Sequence, residues 1–311
     1  MRTLTLLCLT GVLYGQNVYP PAQSIQLGVL PDRWISGGPR CTEVPEWQVH
    51  EYNEDFYILR ESGCTNYEKP FLYLIFGQDR ALLVDSGAGP VDVARIINRT
   101  MQNWQERKKR SSPVPLTVVH SHGHGDHVAG DKQLSALPDI MVIPATPAAL
   151  EKTFGITPYP DDLGSLDLGK RPLDIIAIPG HEAASVAVFD RQTGILLTGD
   201  TFYPGRLYVN DWPAYAASAQ RLVDFTENKV VTHILGAHIE QRRTPYTDYP
   251  RGTAYQPEEH SLALSRGDLL EWNEAIRKTN GIPTVIAKRD YTIVARRSFA
   301  PPPAAEPSGK R

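Results

Sequence analysis

The chain has 311 residues, 41% of them hydrophobic, and a formal net charge of −3 at pH 7. A chain of this length and composition can bury a large core, as one large domain or two small ones. Its slight acidity provides no positive field to gather phosphate groups, which argues against electrostatically driven binding of nucleic acid.

Residues 1–15 predict a secretory signal. One arginine precedes an apolar run over residues 4–13, and small and polar residues follow it. We therefore expect an exported protein, periplasmic or secreted, with an uncleaved apolar N-terminus as the alternative. No other apolar run reaches the roughly 20 residues that span a bilayer, so stable membrane insertion is not expected.

Residues 16–50 are interpreted as an N-terminal extension of the main domain. Removal of the signal would leave two cysteines, Cys41 and Cys64. An even pair in an exported chain favours a disulfide, and two unpaired buried thiols are the alternative. At the other end, residues 298–311 are rich in proline and alanine and predict a disordered tail.

The first half of the main domain, residues 51–297, begins with short runs of β-branched and aromatic residues that predict three strands. A helix should follow, since apolar residues recur at helical spacing, and then another strand. The three strands are expected within residues 55–62, 71–77 and 80–87, the helix at 91–107 and the next strand at 116–119.

The second half repeats this alternation and ends in a strand that turns near Arg289 and Asp290. Strand groups separated by helices favour layered sheets with helices outside them. Strands are expected within residues 140–145, 174–180, 184–190, 194–200 and 232–238, and helices near 146–153, 213–227 and 258–278.

The segment "HSHGHGDHVAG", residues 120–130, directly follows the strand at 116–119 and contains four of the nine histidines. Its two inner glycines allow a sharp turn, which can bring several side chains to one point. Neutral imidazole and carboxylate groups are ligands for a divalent metal. The segment therefore predicts a metal site.

The motif "SHGHGDH" resembles the H-x-H-x-D-H signature of the metallo-β-lactamase superfamily, and the downstream order of motifs agrees. "IPGH" supplies His181, "LLTGDT" supplies Asp200 and "ILGAHIE" supplies His238. Upstream, "LLVDSGAG" with Asp85 is similar to the family's early strand end. The resemblance extends over roughly residues 55–294.

The resemblance implies an α/β fold, a four-layer αββα sandwich with a metal site at the edge between the sheets. It also implies two divalent ions, zinc or alternatively iron or manganese, which share a hydroxide that attacks a carbonyl while Asp126 relays a proton. The implied ligands are His122, His124 and His181 for one ion, Asp126, His127 and His238 for the second, and Asp200 between them.

The substrate class is predicted from two features of the second half. Asp200 stands where the best-known zinc β-lactamases use cysteine, so the pattern is closer to glyoxalase II thioesterases and lactonases. Tyr203 lies three residues later, and its phenol could donate a hydrogen bond to an oxyanion; packing of an ordinary aromatic is the alternative. The predicted function is hydrolysis of a small lactone, ester or thioester. A β-lactamase, a phosphodiesterase or nuclease, and a non-catalytic or redox metal-binding protein remain alternatives.

Several other residues receive weaker roles. Arg206, Tyr208 and the 240–256 segment are candidates for the substrate pocket. His233 is an alternative to His238, and a structural or supporting role is expected for His120 and Asp85, rather than metal binding. These roles are inferred from the positions of the residues relative to the motifs.

Overall fold

The computed structural model describes residues 24–296, in which two six-stranded sheets lie face to face. The predicted signal at 1–15 and the predicted tail at 298–311 lie outside the described residues. No helix within 24–296 is long and apolar enough to cross a membrane.

The first sheet has the strand order β1 to β6, with β4, β5 and β6 parallel to one another. Its elements are β1 (Trp47–Asn53), β2 (Phe56–Glu61), β3 (Phe71–Phe76), β4 (Ala81–Val84), α1 (Val93–Arg107), β5 (Leu116–Val119), α2 (Gly125–Val128), α3 (Asp131–Leu134) and β6 (Ile140–Val142).

The second half of the chain forms the other large sheet and a small three-stranded one. Its elements are α4 (Pro147–Phe154), β7 (Leu163–Asp167), β8 (Pro172–Ala177), β9 (Val186–Asp190), β10 (Ile195–Gly199), β11 (Arg206–Val209), α5 (Trp212–Thr226), β12 (His233–Gly236), β13 (Ala263–Leu264), α6 (Arg266–Arg277), β14 (Val285–Ala287) and β15 (Thr292–Ala295). The large sheet has the order β13-β12-β10-β9-β8-β7, and the small one β11-β15-β14.

Strands buried on both faces produce the layered architecture. In β3, the residues Phe71, Tyr73 and Ile75 belong to the core between the two sheets, and their neighbours Leu72 and Leu74 belong to the core beneath α1. This alternation follows from the two-residue period of a strand. A third core lies between the second sheet and the helices α5 and α6. The predicted αββα sandwich is confirmed.

Four elements differ from the sequence-based expectation. The predicted start of the domain at residue 51 falls inside β1, which pairs with β2 from Trp47 onwards. The helix expected at 258–278 begins only at Arg266, because the Ser265 hydroxyl accepts from the Asp268 amide and the Asp268 carboxylate accepts from the Ser265 amide. The strands β7 and β11 were not expected, since β7 has few apolar residues and β11 is a short segment that pairs with the distant strand β15.

The N-terminal extension is joined to the first sheet by a disulfide between Cys41 and Cys64. Cys64 lies in the loop after β2, which also contains Glu68. The predicted pairing of these cysteines is confirmed, and the alternative of two free thiols is wrong.

Candidate metal centre

The predicted ligands lie at one edge of the sandwich, where strands of both sheets end. The histidine cluster follows β5, while Asp200 follows β10 and His238 follows β12. β10 and β12 are parallel, so their ends bring the two latter side chains to the same edge. His181 comes from the loop between β8 and β9. The fold therefore assembles residues that are up to 116 positions apart, from His122 to His238.

The seven side chains form two groups, within each of which the candidate ligand atoms all lie within 4.8 Å of one another. Asp200 also approaches the first group, because its Oδ2 is 3.8 Å from His122 Nε2 and 3.7 Å from His181 Nε2. Its Oδ1 lies 3.2 Å from His238 Nε2, so Asp200 stands between the two groups. The first group is His122, His124 and His181, and the second is Asp126, His127, Asp200 and His238.

Hydrogen bonds outside the centre orient three of the histidines. Asp85 Oδ2 lies 2.9 Å from His127 Nδ1, and backbone carbonyl oxygens accept from the Nδ1 of His181 and His238. An imidazole that donates from Nδ1 leaves the lone pair of Nε2 free for a metal. Asp85 thus has the orienting position expected of it, and it also accepts hydrogen bonds from the backbone and hydroxyl of Ser121.

Two of these supports were not predicted from the sequence. The oxygens belong to the backbones of Glu68, 2.8 Å from His238 Nδ1, and Tyr208, 2.7 Å from His181 Nδ1. A backbone carbonyl is present at every residue, so no sequence signal could have singled out these two.

A structural observation that does not depend on the sequence motifs also indicates that the second group fits a divalent cation. Asp200 Oδ1 is buried and makes no hydrogen bond to any described residue, although buried carboxylate oxygens are normally paired. The Nε2 atoms of His127 and His238 face each other at 3.4 Å. Two acceptor nitrogens with an unpaired carboxylate oxygen beside them are satisfied by a shared cation.

Electrostatics give the histidines of the first group, and Asp200, the protonation states that metal binding requires. Burial, together with the neighbouring His127, lowers the pKa of His122, and burial lowers the pKa of His181, so both imidazoles are neutral. Burial alone would raise the pKa of Asp200, but His238 and His127 outweigh it and lower the pKa, so the carboxylate is ionised. In the second group, burial alone would lower the pKa of His127 and His238, but neighbouring carboxylates, chiefly that of Asp200, outweigh it and raise both pKa values. These imidazoles therefore favour a positive charge, which a bound cation would supply in place of the proton.

Tyr203 is placed differently from its expected role. Its side chain is buried, and its hydroxyl lies 2.7 Å from the Arg206 carbonyl oxygen and 3.1 Å from Glu240 Oε2. A phenol has one proton to donate, and these partners use it. The ring still packs 5.7 Å from that of His238. This arrangement does not support Tyr203 as an oxyanion donor.

The other candidates are distributed around the centre. The Arg206 guanidinium is bound by Glu240 and by the backbone of Tyr249, so the 240–256 segment holds it inside the protein. His120 Nδ1 lies 3.1 Å from the backbone oxygen of His127, which is a structural contact. His233 is half-buried beside the Tyr52 ring and belongs to neither ligand group.

A comparison with known protein families identifies the chain. Residues 69–238 match the family model described as the metallo-beta-lactamase superfamily. The chain belongs to this superfamily. The match begins next to Glu68 and ends at His238, so it contains all seven candidate ligands. Its relatives are named hydrolases, and the chain is accordingly a hydrolase of the metallo-beta-lactamase superfamily.

Two groups of relatives have names that state a reaction. The chain is 22% identical to the human acyl-coenzyme A thioesterase MBLAC2 over 233 residues, which cover 62% of this chain and 82% of that protein. It is 31% identical to the hydroxyacylglutathione hydrolase of Yersinia pestis over 122 residues, covering 38% of this chain and 47% of that protein.

Solved structures support the fold. The DIM-1 metallo-beta-lactamase, in a crystal structure described as exposed to ceftazidime, has a TM-score of 0.50 and 15% identity. The aligned region covers 76% of this chain and 98% of that one. At this identity the similarity concerns the architecture alone.

Proposed function

We propose that this protein is an exported hydrolase that uses two divalent cations, zinc or alternatively iron or manganese, to cleave a small thioester, ester or lactone. The observation that carries the proposal is the pair of ligand groups that share Asp200, whose Oδ2 faces the first group and whose Oδ1 lies 3.2 Å from His238 Nε2 in the second.

The described residues can supply the ligands and a proton acceptor. Divalent cations bound here would polarise a carbonyl group and lower the pKa of water. Asp126 Oδ2 lies 3.3 Å from the Nε2 atoms of both His127 and His238, which leaves Oδ1 to take a proton and pass it to the leaving group. The Asp126 side chain is 22% exposed, so it is accessible to solvent.

Among carbonyl substrates we place thioesters first. MBLAC2 is named an acyl-coenzyme A thioesterase, and its alignment covers most of that protein. Esters and lactones remain in the proposal because the same ligand set and proton acceptor serve any acyl carbon. A β-lactamase activity is a weaker candidate, since Asp200 stands where the best-known members have cysteine, and the similarity to DIM-1 shows only the fold.

Export is supported by the Cys41–Cys64 disulfide in addition to the N-terminal sequence. Disulfides persist in oxidising compartments and are rare in the reducing cytosol. A periplasmic or secreted enzyme with this site is therefore the form that we propose.

A substrate panel tests the proposal. Acyl thioesters, aryl esters, lactones, a β-lactam and a phosphodiester would be compared by kcat/KM on wild type and on Asp126→Asn. We expect a thioester, ester or lactone to be the best substrate. With its metal content verified, Asp126→Asn should hydrolyse it on the order of 10²-fold more slowly, because the amide cannot accept the proton. A β-lactam or phosphodiester as the best substrate would overturn the substrate class, and an unimpaired variant would exclude the proton-relay role.

A further inference from the structure

We propose that the N-terminal extension helps to orient a ligand of the metal centre. Through the Cys41–Cys64 disulfide, residues 24–46, here called the strap, position the loop of residues 62–70, here called the Glu68 loop. The Glu68 loop in turn orients the ligand His238. This inference rests on the proposed function only in taking the centre to bind metal, and it is independent of the substrate.

The link between the Glu68 loop and the centre is one hydrogen bond. His238 Nδ1 lies 2.8 Å from the backbone oxygen of Glu68, whereas His127 in the same group is held by the carboxylate of Asp85. A backbone oxygen cannot reorient by changing a side-chain rotamer. The direction of the His238 ring therefore depends on where the Glu68 loop lies.

The far end of the Glu68 loop, its C-terminal end next to β3, is well anchored. The Phe71 amide, at the start of β3, donates to the Ala237 carbonyl at 2.8 Å, and the Lys69 ammonium donates to the Thr253 carbonyl at 3.0 Å. The middle is held more weakly, since the Asn66 amide reaches the Gly89 carbonyl at 3.3 Å. The near end of the loop, its N-terminal end after β2, carries the disulfide at Cys64.

The strap reaches this near end and packs against it closely. Ser62 N donates to Glu46 O at 2.8 Å, one residue from Gly63. A Cβ atom on Gly63 would come within 2.4 Å of the Ser36 carbonyl oxygen and 2.2 Å of the Ala254 carbonyl oxygen. Only glycine fits this approach of three backbones.

The strap is itself fixed to the 240–256 segment. The Ser36 hydroxyl donates to the Gln256 carbonyl at 3.1 Å and accepts from the Gln256 amide at 3.2 Å. Ser36 is 6% exposed, so these bonds are protected from water. The near end of the Glu68 loop is thus clamped between two fixed segments, and the disulfide is the covalent part of the clamp.

The clamp should act on one metal position and not on the other. In the first ligand group, His181 takes its orienting bond from the backbone oxygen of Tyr208 in β11, and its hydrogen bonds to described residues reach neither the strap nor the Glu68 loop. Loss of a group that orients a metal-binding histidine typically weakens metal affinity by 10-fold to 100-fold. We therefore expect selective loss at the second group when the clamp is removed.

The experiment compares metal affinity in four proteins by competition with a chromogenic zinc chelator. Cys41→Ser/Cys64→Ser removes the covalent tie, and Gly63→Ala keeps the disulfide but separates the packed backbones. Leu222→Ala, a truncation of a fully buried residue of α5, is the control for general destabilisation. Melting temperatures measured in parallel confirm that each variant folds and that the control is destabilised.

In the double cysteine variant and in Gly63→Ala, one of the two zinc equivalents should bind 10-fold to 100-fold more weakly while the other keeps its affinity. Leu222→Ala should keep both affinities. Wild-type affinity at both positions in either clamp variant, or an equal loss at both, would overturn the proposal. A wild type that binds two zinc ions but hydrolyses no thioester, ester or lactone would refute the proposed substrate class and leave this inference standing.

Discussion

At the scale of single residues, Tyr203 is the position where an expected chemical role and the observed contacts differ. Burial, and then the carboxylate of Glu240, raise the pKa of Tyr203, so the phenol keeps its proton and shares it with the Arg206 carbonyl oxygen and Glu240. The hydroxyl therefore contributes to structure at the base of the 240–256 segment.

We expect Tyr203→Phe to lower the free energy of unfolding by about 0.5–1.5 kcal/mol, the usual net value of one lost hydrogen bond. Its kcat on the best substrate should stay within about threefold of wild type. Urea unfolding and steady-state kinetics on the same preparation check both parts. A fall in kcat of about tenfold or more, with KM little changed, would restore Tyr203 as an oxyanion donor.

The candidate ligands could be predicted from the sequence because imidazole and carboxylate side chains at fixed spacings have few structural uses. Their orientation could not. It depends on backbone oxygens, such as that of Glu68, which are brought to the centre by distant parts of the chain. The same holds for Tyr203, whose neighbour Glu240 lies 37 residues away.

At the scale of elements, the end of β2 contains an unusual carboxyl group. Glu61 is fully buried and accepts hydrogen bonds from the Ala88 amide at 2.9 Å and the Thr65 hydroxyl at 3.2 Å. Burial raises the pKa of Glu61 to about 7, since these neutral donors compensate only part of the cost of burying a charge.

This pKa predicts a pH-dependent stability. The carboxyl group holds its proton more tightly in the folded chain than in the unfolded one, so its favourable contribution is present below pH 4.5 and is lost as the pH rises through 7. The Glu61→Gln variant has no carboxyl group to ionise, so it does not lose stability in this way as the pH rises. Its stability relative to wild type should therefore rise by about 2–3 kcal/mol from pH 5 to pH 8. Urea unfolding at several pH values measures the difference, and a difference that is constant with pH would refute the shifted pKa.

Element boundaries were predictable where local chemistry decides them. The helix α1 was expected at 91–107 and is observed at Val93–Arg107, with Asp92 capping its first turn. The helix α6 was predicted eight residues too early, because the residues before Ser265 pair with β12 through tertiary contacts. The edge strand β1 was assigned in part to the extension, since it alternates polar and apolar residues and is only partly buried.

At the scale of the whole molecule, the layered sandwich follows from strands that are apolar on both faces. The sequence predicted this architecture through the run of strands and helices and through a resemblance to one superfamily. It could not predict that the extension, the Glu68 loop and the 240–256 segment meet beside the second ligand group. These segments have little apolar periodicity, and their contacts involve backbone atoms of Ser36, Gly63 and Ala254.

The proposed function makes hydrolysis dependent on metal, and metal content measured together with hydrolysis tests this most directly. We expect about two equivalents of divalent metal per chain in protein purified without chelators. Removal of both by a chelator should abolish hydrolysis of the best substrate in the panel, and addition of zinc should restore it. Undiminished hydrolysis after verified metal removal would contradict the assignment of the histidine and aspartate groups as the catalytic centre.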